Sequence, residues 1–242
     1  MPAVDPLAQA QALVSRTLAA RPAPRVIEAG CGARSHLAYP SAAHVLGIDI
    51  LRSQLRRHGS MRGLAQGDVT ALPVASASAD VVVCWDVLEH LAAPEQAIAE
   101  LARVLRPGGR AVLALPNIVS LKGLVTRFTP WSFHVWVYRR VLGDPSVGMD
   151  GSDQFPTAFR FVLRPAGLRR LAAAHGLIVE DLHLYEGPVP QHLRRRHRVA
   201  DVLLSIAARA TRACSLGRYD TTLSDMIVVL ARPLARPSGE RA

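Results

Sequence analysis

The sequence predicts an α/β protein built on a doubly wound, seven-stranded, mostly parallel sheet with helices on both faces. Three observations predict it. Short apolar runs of strand length alternate with helical patterns through the first half of the chain, the mark of a parallel sheet covered on both sides. The first run, RVIEAG (25–30), leads straight into a glycine turn, GCG, as a strand that ends at a ligand does. The pattern pauses after Asn117, then resumes with one more helix and two more strand-like runs.

The elements follow in order. Residues 5–20 hold Leu7, Ala10, Leu13 and Leu18 at helical spacing, and RPAP stops the helix. HVLGIDI (44–50), RGLAQGD (62–68), ADVVVCWDV (79–87) and GGRAVLALPN (108–117) are the second to fifth strands. Between the last two, PEQAIAELARVLRPGG places Ala97, Ile98, Leu101, Val104 and Leu105 on one helical face. Pro94 opens that helix and Gly108–Gly109 closes it. LRPAGLRRLAAAHG (163–176) is a helix ending in glycine, and LIVEDLHLYEG (177–187) and SDMIVVLARP (224–233) are the last two strands. The chain reads as one domain over 1–242. An N-terminal helix (1–24) precedes a ligand-binding half (25–117), an aromatic and basic insertion or lid (118–163) and a closing part of the sheet (164–242). The closing part carries a basic amphipathic insertion at 188–220.

Half of the 242 residues are hydrophobic, enough for a core that needs no disulfide or structural metal. Cys31, Cys84 and Cys214 are scattered and odd in number, and read as reduced thiols. The first twenty residues lack the basic start and apolar run of a secretory signal, and no uninterrupted apolar stretch reaches about 18 residues. The expected location is the cytoplasm, with peripheral contact at the inner face of the membrane. The net charge is +10, and Lys122 is the sole lysine. Such a balance suits an anionic membrane, a phosphorylated partner, nucleic acid or simply a solvated arginine surface.

VIEAGCGAR carries the main chemical signal. Its glycines let the backbone approach a ligand closely, and the amides beyond them face it. GxG alone is a weak motif, but Glu28 stands just before it, where a carboxylate repels a pyrophosphate and suits an ammonium or sulfonium. The third glycine of the dinucleotide fingerprint is replaced by Ser35. Asp49 ends the second strand nineteen residues after Gly30, where an acid can accept from both hydroxyls of a ribose. Asp68 follows the third strand, where it could accept an adenine amino group. The plain alternative for Asp49 and Asp68 is capping of the helices next along the chain.

These segments, together with GDVTALPVASASADVVVCWDVLEHL and ELARVLRPGGRAVLALPN, resemble the class I S-adenosylmethionine-dependent methyltransferases. Within them the chain is most similar to the small-molecule subgroup that includes the ubiquinone and menaquinone pathway enzymes. The resemblance runs from about Val26 to Asn117 and implies a Rossmann-like fold with S-adenosyl-L-methionine as cofactor. It implies that Glu28, Gly30 and Gly32 hold the methionine part and Asp49 the ribose, with Cys31 and Ile50 beside them also cofactor-binding. It further implies that Asp68 and Val69 meet the adenine, and that Cys84 and Trp85 line the sulfonium region. Arg34 stands where the family often has a third glycine.

Methyl transfer needs chiefly alignment and exclusion of water, with a general base for an oxygen or activated carbon acceptor. Asp86, Glu89 and His90 in DVLEHL fall at i, i+3 and i+4, one side of a helical turn. They are the catalytic candidates: His90 as base oriented by Glu89, or all three as ligands of a divalent metal, since some family members use a similar arrangement. Packing by Leu88 and Leu91 is the plain alternative. His134, His36 and Tyr39 are outlying candidates. LPNI replaces the (Asp/Asn)-Pro-Pro-aromatic motif of adenine-amino methyltransferases, which turns the expectation from N- toward O- or C-methylation. The aromatics Trp131, Phe133, Trp136 and Tyr138, flanked by Arg127, Arg139 and Arg140, suit an apolar acceptor pocket or a membrane interface. RRRHR (194–198), beside Val202, Leu203, Ile206 and Ala210, suits anionic lipid, a phosphorylated acceptor or RNA. A small or lipid-linked hydrophobic acceptor is the first expectation. The alternatives are an NAD(P)-dependent oxidoreductase, an RNA methyltransferase and a non-catalytic binding protein.

Overall fold

The computed structural model of the chain describes residues 5–61, 63–140, 143, 157, 158 and 160–234. Seven strands form one sheet: β1 (Arg25–Ala29), β2 (His44–Asp49), β3 (Gly63–Gln66), β4 (Ala79–Trp85), β5 (Leu105–Pro116), β6 (Ile178–Tyr185) and β7 (Asp225–Ala231). Their order is β3-β2-β1-β4-β5-β7-β6. β1 to β5 pair in parallel, and β7 runs antiparallel to both β5 and β6. The order reverses between β1 and β4, which opens a crevice at the carboxyl ends of the strands, where such sheets bind ligands.

Both faces of the sheet are covered, which is why β4 and β7 carry unbroken apolar runs, residues 81–85 and 226–231, rather than alternating. On one face α1 (Pro6–Ala19), capped by Asp5, buries Ala10, Val14 and Leu18 against Val26, Val81, Val112 and Ile227. On the other, α3 (Pro94–Val104) and α6 (Pro165–Ala174) bury Ile98, Leu101, Leu168 and Ala172 against Ile27, Val82, Leu113 and Val228. Each buried Leu, Ile or Val contributes about 1.5–3 kcal/mol relative to an exposed one.

The helix from Pro94 ends at Val104, not at Gly108–Gly109, and β5 begins at Leu105. Arg106 precedes Pro107, and a residue before proline is pushed out of the helical region. The extended backbone therefore starts before the glycines.

Five more α-helices lie among the described residues: α2 (Arg52–Arg57), α4 (Leu121–Phe128), α5 (Trp131–Arg140), α7 (Pro188–Arg196) and α8 (Arg198–Cys214). α4 and α5 follow the carboxyl end of β5. The Ser120 side chain caps α4 by accepting the Gly123 N–H at 3.0 Å. α7 and α8 follow β6, so the expected basic amphipathic insertion is two helices. Most of the glycine-rich stretch 143–153 and part of FPTAFRF (155–161) lie outside the described residues. No helix among the described residues is long and apolar enough to cross a membrane.

Candidate active site

At the tip of β1 the chain turns through Gly30, at φ +78°, and Gly32, at φ +57°. Both conformations belong to glycine. A Cβ on Gly30 would lie 2.3 Å from Cγ2 of Val87, whereas one on Gly32 would meet nothing within 4 Å. The loop is thus pressed against the β4 side at Gly30 and curves round open space at Gly32.

Asp49 fastens this loop to β2. Its Oδ2 accepts the Gly32 N–H at 2.9 Å and its Oδ1 the Leu51 N–H at 2.8 Å, while Ile48 O accepts the N–H groups of Gly30 and Cys31. α2 takes no side-chain cap, so Asp49 braces the loop rather than capping a helix. Each carboxylate oxygen accepts more than one bond, which leaves acceptor positions on Asp49 for hydroxyls. Beside it, Ile50 is 58% exposed, an apolar surface at the sheet edge. Val69 is buried. Asp68 forms a local turn in which Oδ1 accepts from the N–H and hydroxyl of Thr70.

Glu28 is buried at the strand tip. The Tyr39 hydroxyl donates to its Oε1, so Tyr39 joins the site through Glu28. Burial pushes the Glu28 carboxyl up to about 6, against hydrogen bonds from Tyr39 and Ser35 that favour its charge. Burial, with Asp49 and Glu28 nearby, pushes the Cys31 thiol up to about 12, which leaves Cys31 a neutral packing residue. Cys84 is fully enclosed in the core. Successive side chains of a strand face opposite ways, so the structure places Cys84 behind the edge and Trp85 beside it, stacked on His36 at 5.0 Å.

These residues fit a sulfonium cofactor better than a dinucleotide. The open space at Gly32, a buried carboxylate beneath it, a ribose-accepting acid on the next strand and an exposed isoleucine match its ammonium, hydroxyls and purine. A site with Glu28 at its centre would repel a pyrophosphate.

Asp86, Glu89 and His90 line a neighbouring cavity of about 700 Å³, along with Ile118, Lys122, Val125, Phe133, His134, Tyr138, Leu193, Leu204 and Asp225. The expected helical turn is a 3₁₀ turn over Leu88–His90, and Asp86 stands outside it at φ +53°. Leu88 is fully buried and Leu91 packs on the core, so packing and cavity lining coexist in this segment. His90 Nε2 lies 3.8 Å from Glu89 Oε1, too far for the hydrogen bond by which Glu89 would orient the ring. Burial and Asp86 push the Glu89 carboxyl well above the usual range, and its buried Oε2 has no hydrogen-bond partner. Partial desolvation and Asp225 push Asp86 up to about 6, against the pull of Lys122 and Arg34. His134 Nε2 lies 2.9 Å from the Thr129 hydroxyl. Among the described residues no group of three or more His, Cys, Asp or Glu is gathered as metal ligands would be.

Sequence reasoning did not single out Lys122 or Asp225 as site residues. Lys122 Nζ lies 3.0 Å from Asp225 Oδ1. The usable signal was that Lys122 is the sole lysine.

The fold and the loop together define a class I, Rossmann-like methyltransferase architecture. Residues 27–113 match the family model described as a methyltransferase domain. The chain is 39% identical over 136 residues to a ubiquinone biosynthesis O-methyltransferase of Hahella chejuensis, covering 49% of this chain and 57% of that one. It spans about half the length of the curated relatives it matches. An S-adenosylmethionine-dependent methyltransferase from Mesorhizobium loti shares the fold at TM-score 0.53 and 15% identity, over 90% of this chain and 96% of that one. So does the [4+2]-cyclase SpnF, at TM-score 0.54 and 19% identity, over 94% and 82%. Residues 27–113 thus carry a methyltransferase domain, and over 114 residues the chain is 37% identical to a probable S-adenosylmethionine-dependent methyltransferase of Mycolicibacterium smegmatis, covering 45% of this chain and 44% of that one.

With Glu28 set against the cofactor's ammonium, as the sequence reading expects, its raised pKa predicts pH-dependent cofactor binding. A cationic ammonium favours the ionised carboxyl, so affinity is full above about pH 6 and falls as pH drops through it, by up to tenfold per unit. Calorimetric titration with S-adenosylhomocysteine at about pH 5 and pH 7 checks this. Glu28→Gln should bind weakly and flatten the profile. A wild-type affinity unchanged between the two would take Glu28 out of the site.

Proposed function

We propose that this chain transfers a methyl group from S-adenosylmethionine to an oxygen or activated carbon of a small or lipid-linked hydrophobic acceptor. The observation that carries the reading is the cavity of about 700 Å³ beside the glycine loop. Its wall surface is mostly apolar, and Asp86, Glu89, Lys122 and Asp225 gather where β4 and β7 reach it. That is the form of a small-molecule site. When bound, the cofactor supplies an electrophilic methyl carbon. Glu28, Gly32 and Asp49 hold and orient it. Ile118, Val125, Phe133 and Leu204 exclude water and seat the acceptor, and Asp86 is placed to take a proton from it. Asn117 in LPNI is consumed structurally, since its Nδ2 donates to Leu223 O at 2.8 Å. This favours an acceptor other than an exocyclic amine.

A peripheral membrane contact is part of the proposal. α8 buries none of its side chains, and Val199, Val202, Leu203 and Ile206 are 56–72% exposed. Phe128 and Trp136, on α4 and α5 at the other side of the same cavity, are 77% and 55% exposed. Arg195, Arg196 and Arg198 are also exposed, so an apolar patch beside basic residues lies against the acceptor cavity, as in proteins resting on anionic lipid. Arg194 is spent within the protein, on Glu186 at 2.6 Å and Asp201 at 2.8 Å.

Incubation of the protein with methyl-labelled cofactor and separated membrane and soluble fractions of a cell extract tests both parts. The label should enter a compound of the membrane fraction that extracts into organic solvent. Label confined to RNA, or to water-soluble compounds of the soluble fraction, would contradict the lipid-linked reading.

A further inference from the structure

Of the 29 lysines and arginines only Lys122 is a lysine, and it stands in the wall of the acceptor cavity. A chain of hydrogen bonds fixes it there. The Gly187 N–H donates to Ser224 Oγ at 2.9 Å, the Ser224 hydroxyl donates to Asp225 Oδ2, and Asp225 Oδ1 accepts from Lys122 Nζ at 3.0 Å. Gly187 sits so close that a Cβ there would lie 1.6 Å from Asp225 Oδ2. A desolvated ion pair of this kind is a weak source of stability, so its construction points to use. An ammonium has three donors, and among the described residues Asp225 takes one.

The lining narrows what those donors meet. No arginine lines the cavity among the described residues, although arginine forks are the usual partners of carboxylate and phosphate groups. In the same cavity, Glu89 Oε2 is buried without a partner, a second polar atom that lacks its counterpart. The groups facing Lys122 are Asp225 from β7, Tyr138 from α5, and Asp86 and Glu89 after β4.

We propose that Lys122 binds the acceptor's reacting oxygen as an anion, so that the acceptor is a compound with an acidic hydroxyl, a phenol or an enol. The inference rests on the methyl-transfer reading and names its substrate class. On ionisation the hydroxyl proton passes to the Asp86 carboxylate, which is open to solvent, and the oxygen keeps the electron pair facing Lys122. Phe133 and Tyr138 provide the aromatic walls for a ring. Asp225, Ser224 and Gly187 are positioning residues that act through Lys122.

The test uses para-nitrophenol, whose colour reports its ionised form, added to protein loaded with S-adenosylhomocysteine. The bound probe should ionise at lower pH than the free probe. Lys122→Met should weaken nitrophenolate binding by about 10- to 100-fold, the loss of one charge-assisted hydrogen bond, with the affinity for S-adenosylhomocysteine unchanged. Wild-type protein grown on lysine labelled with carbon-13 at Cε gives one Cε resonance, since Lys122 is the sole lysine, and that signal should move when nitrophenolate binds. No binding of the probe, an unmoved resonance, or equal binding by Lys122→Met would overturn the proposal. Failure to bind S-adenosylhomocysteine at all would instead overturn the methyl-transfer reading beneath it.

Discussion

Replacing Asp49 by alanine is expected to weaken S-adenosylhomocysteine binding by about 10- to 100-fold, the loss of one or two charge-assisted bonds at about 1.5–3 kcal/mol each. The upper end is the better expectation, because Asp49 does two things. In the proposed site it offers lone pairs to the ribose hydroxyls, and in the structure it holds the loop through the N–H groups of Gly32 and Leu51. Alanine removes both at once and leaves two amides at a half-buried turn without their acceptor. Asp49→Asn keeps one carbonyl oxygen and can brace one amide, so it should fall between alanine and wild type. Titration calorimetry on the three proteins checks the order. An Asp49→Ala affinity equal to wild type would remove this residue from the cofactor site.

The second large effect is expected at the glycine turn. Gly30→Ala forces a side chain into the left-handed region, at about 1–2 kcal/mol. It also drives a Cβ to 2.3 Å from Val87 Cγ2, an overpacking worth about 1–3 kcal/mol. Together they should destabilise the fold by about 2–5 kcal/mol, against a total of about 5–15 for a typical domain. For a chain of this size that lowers Tm by about 4–20 °C. Gly32→Ala provides the contrast. It pays the conformational term alone, since nothing lies within 4 Å, so it should melt closer to wild type. Its methyl group enters the space assigned to the ligand, so it should still bind the cofactor poorly. Thermal melts and titrations of both variants separate strain from occlusion. A Gly30→Ala protein as stable as wild type would mean that the turn at Val87 is misplaced.

The sheet was legible because its signals are local. Continuous apolar runs such as DVVVCW and MIVVLA mark strands buried on both faces, and all seven expected strands lie where their runs do. The places of Glu28 and Asp49 at the ends of β1 and β2 were legible for the same reason, since each stands beside its own motif. Boundaries read less well: the proline after Arg106 outweighed the two glycines in ending α3. The spacing in DVLEHL suggests regular helix, but Asp86 adopts a positive φ that no spacing rule foresees. Least legible was the pair Lys122 and Asp225, whose partners lie 103 residues apart in sequence. Only the return of β7 beside β5 joins them, and pairing over such a distance leaves no periodic trace. Tyr39 on Glu28 is a smaller case of the same kind.

Carboxylates at the ends of β1 and β2 are proposed to surround a sulfonium compound rather than a dinucleotide. Calorimetric titration of the purified protein with S-adenosylmethionine, S-adenosylhomocysteine and NAD tests it most directly. Saturable binding of the first two at one equivalent, with no heat from NAD, is the predicted result. Binding of NAD without either of the others would contradict it.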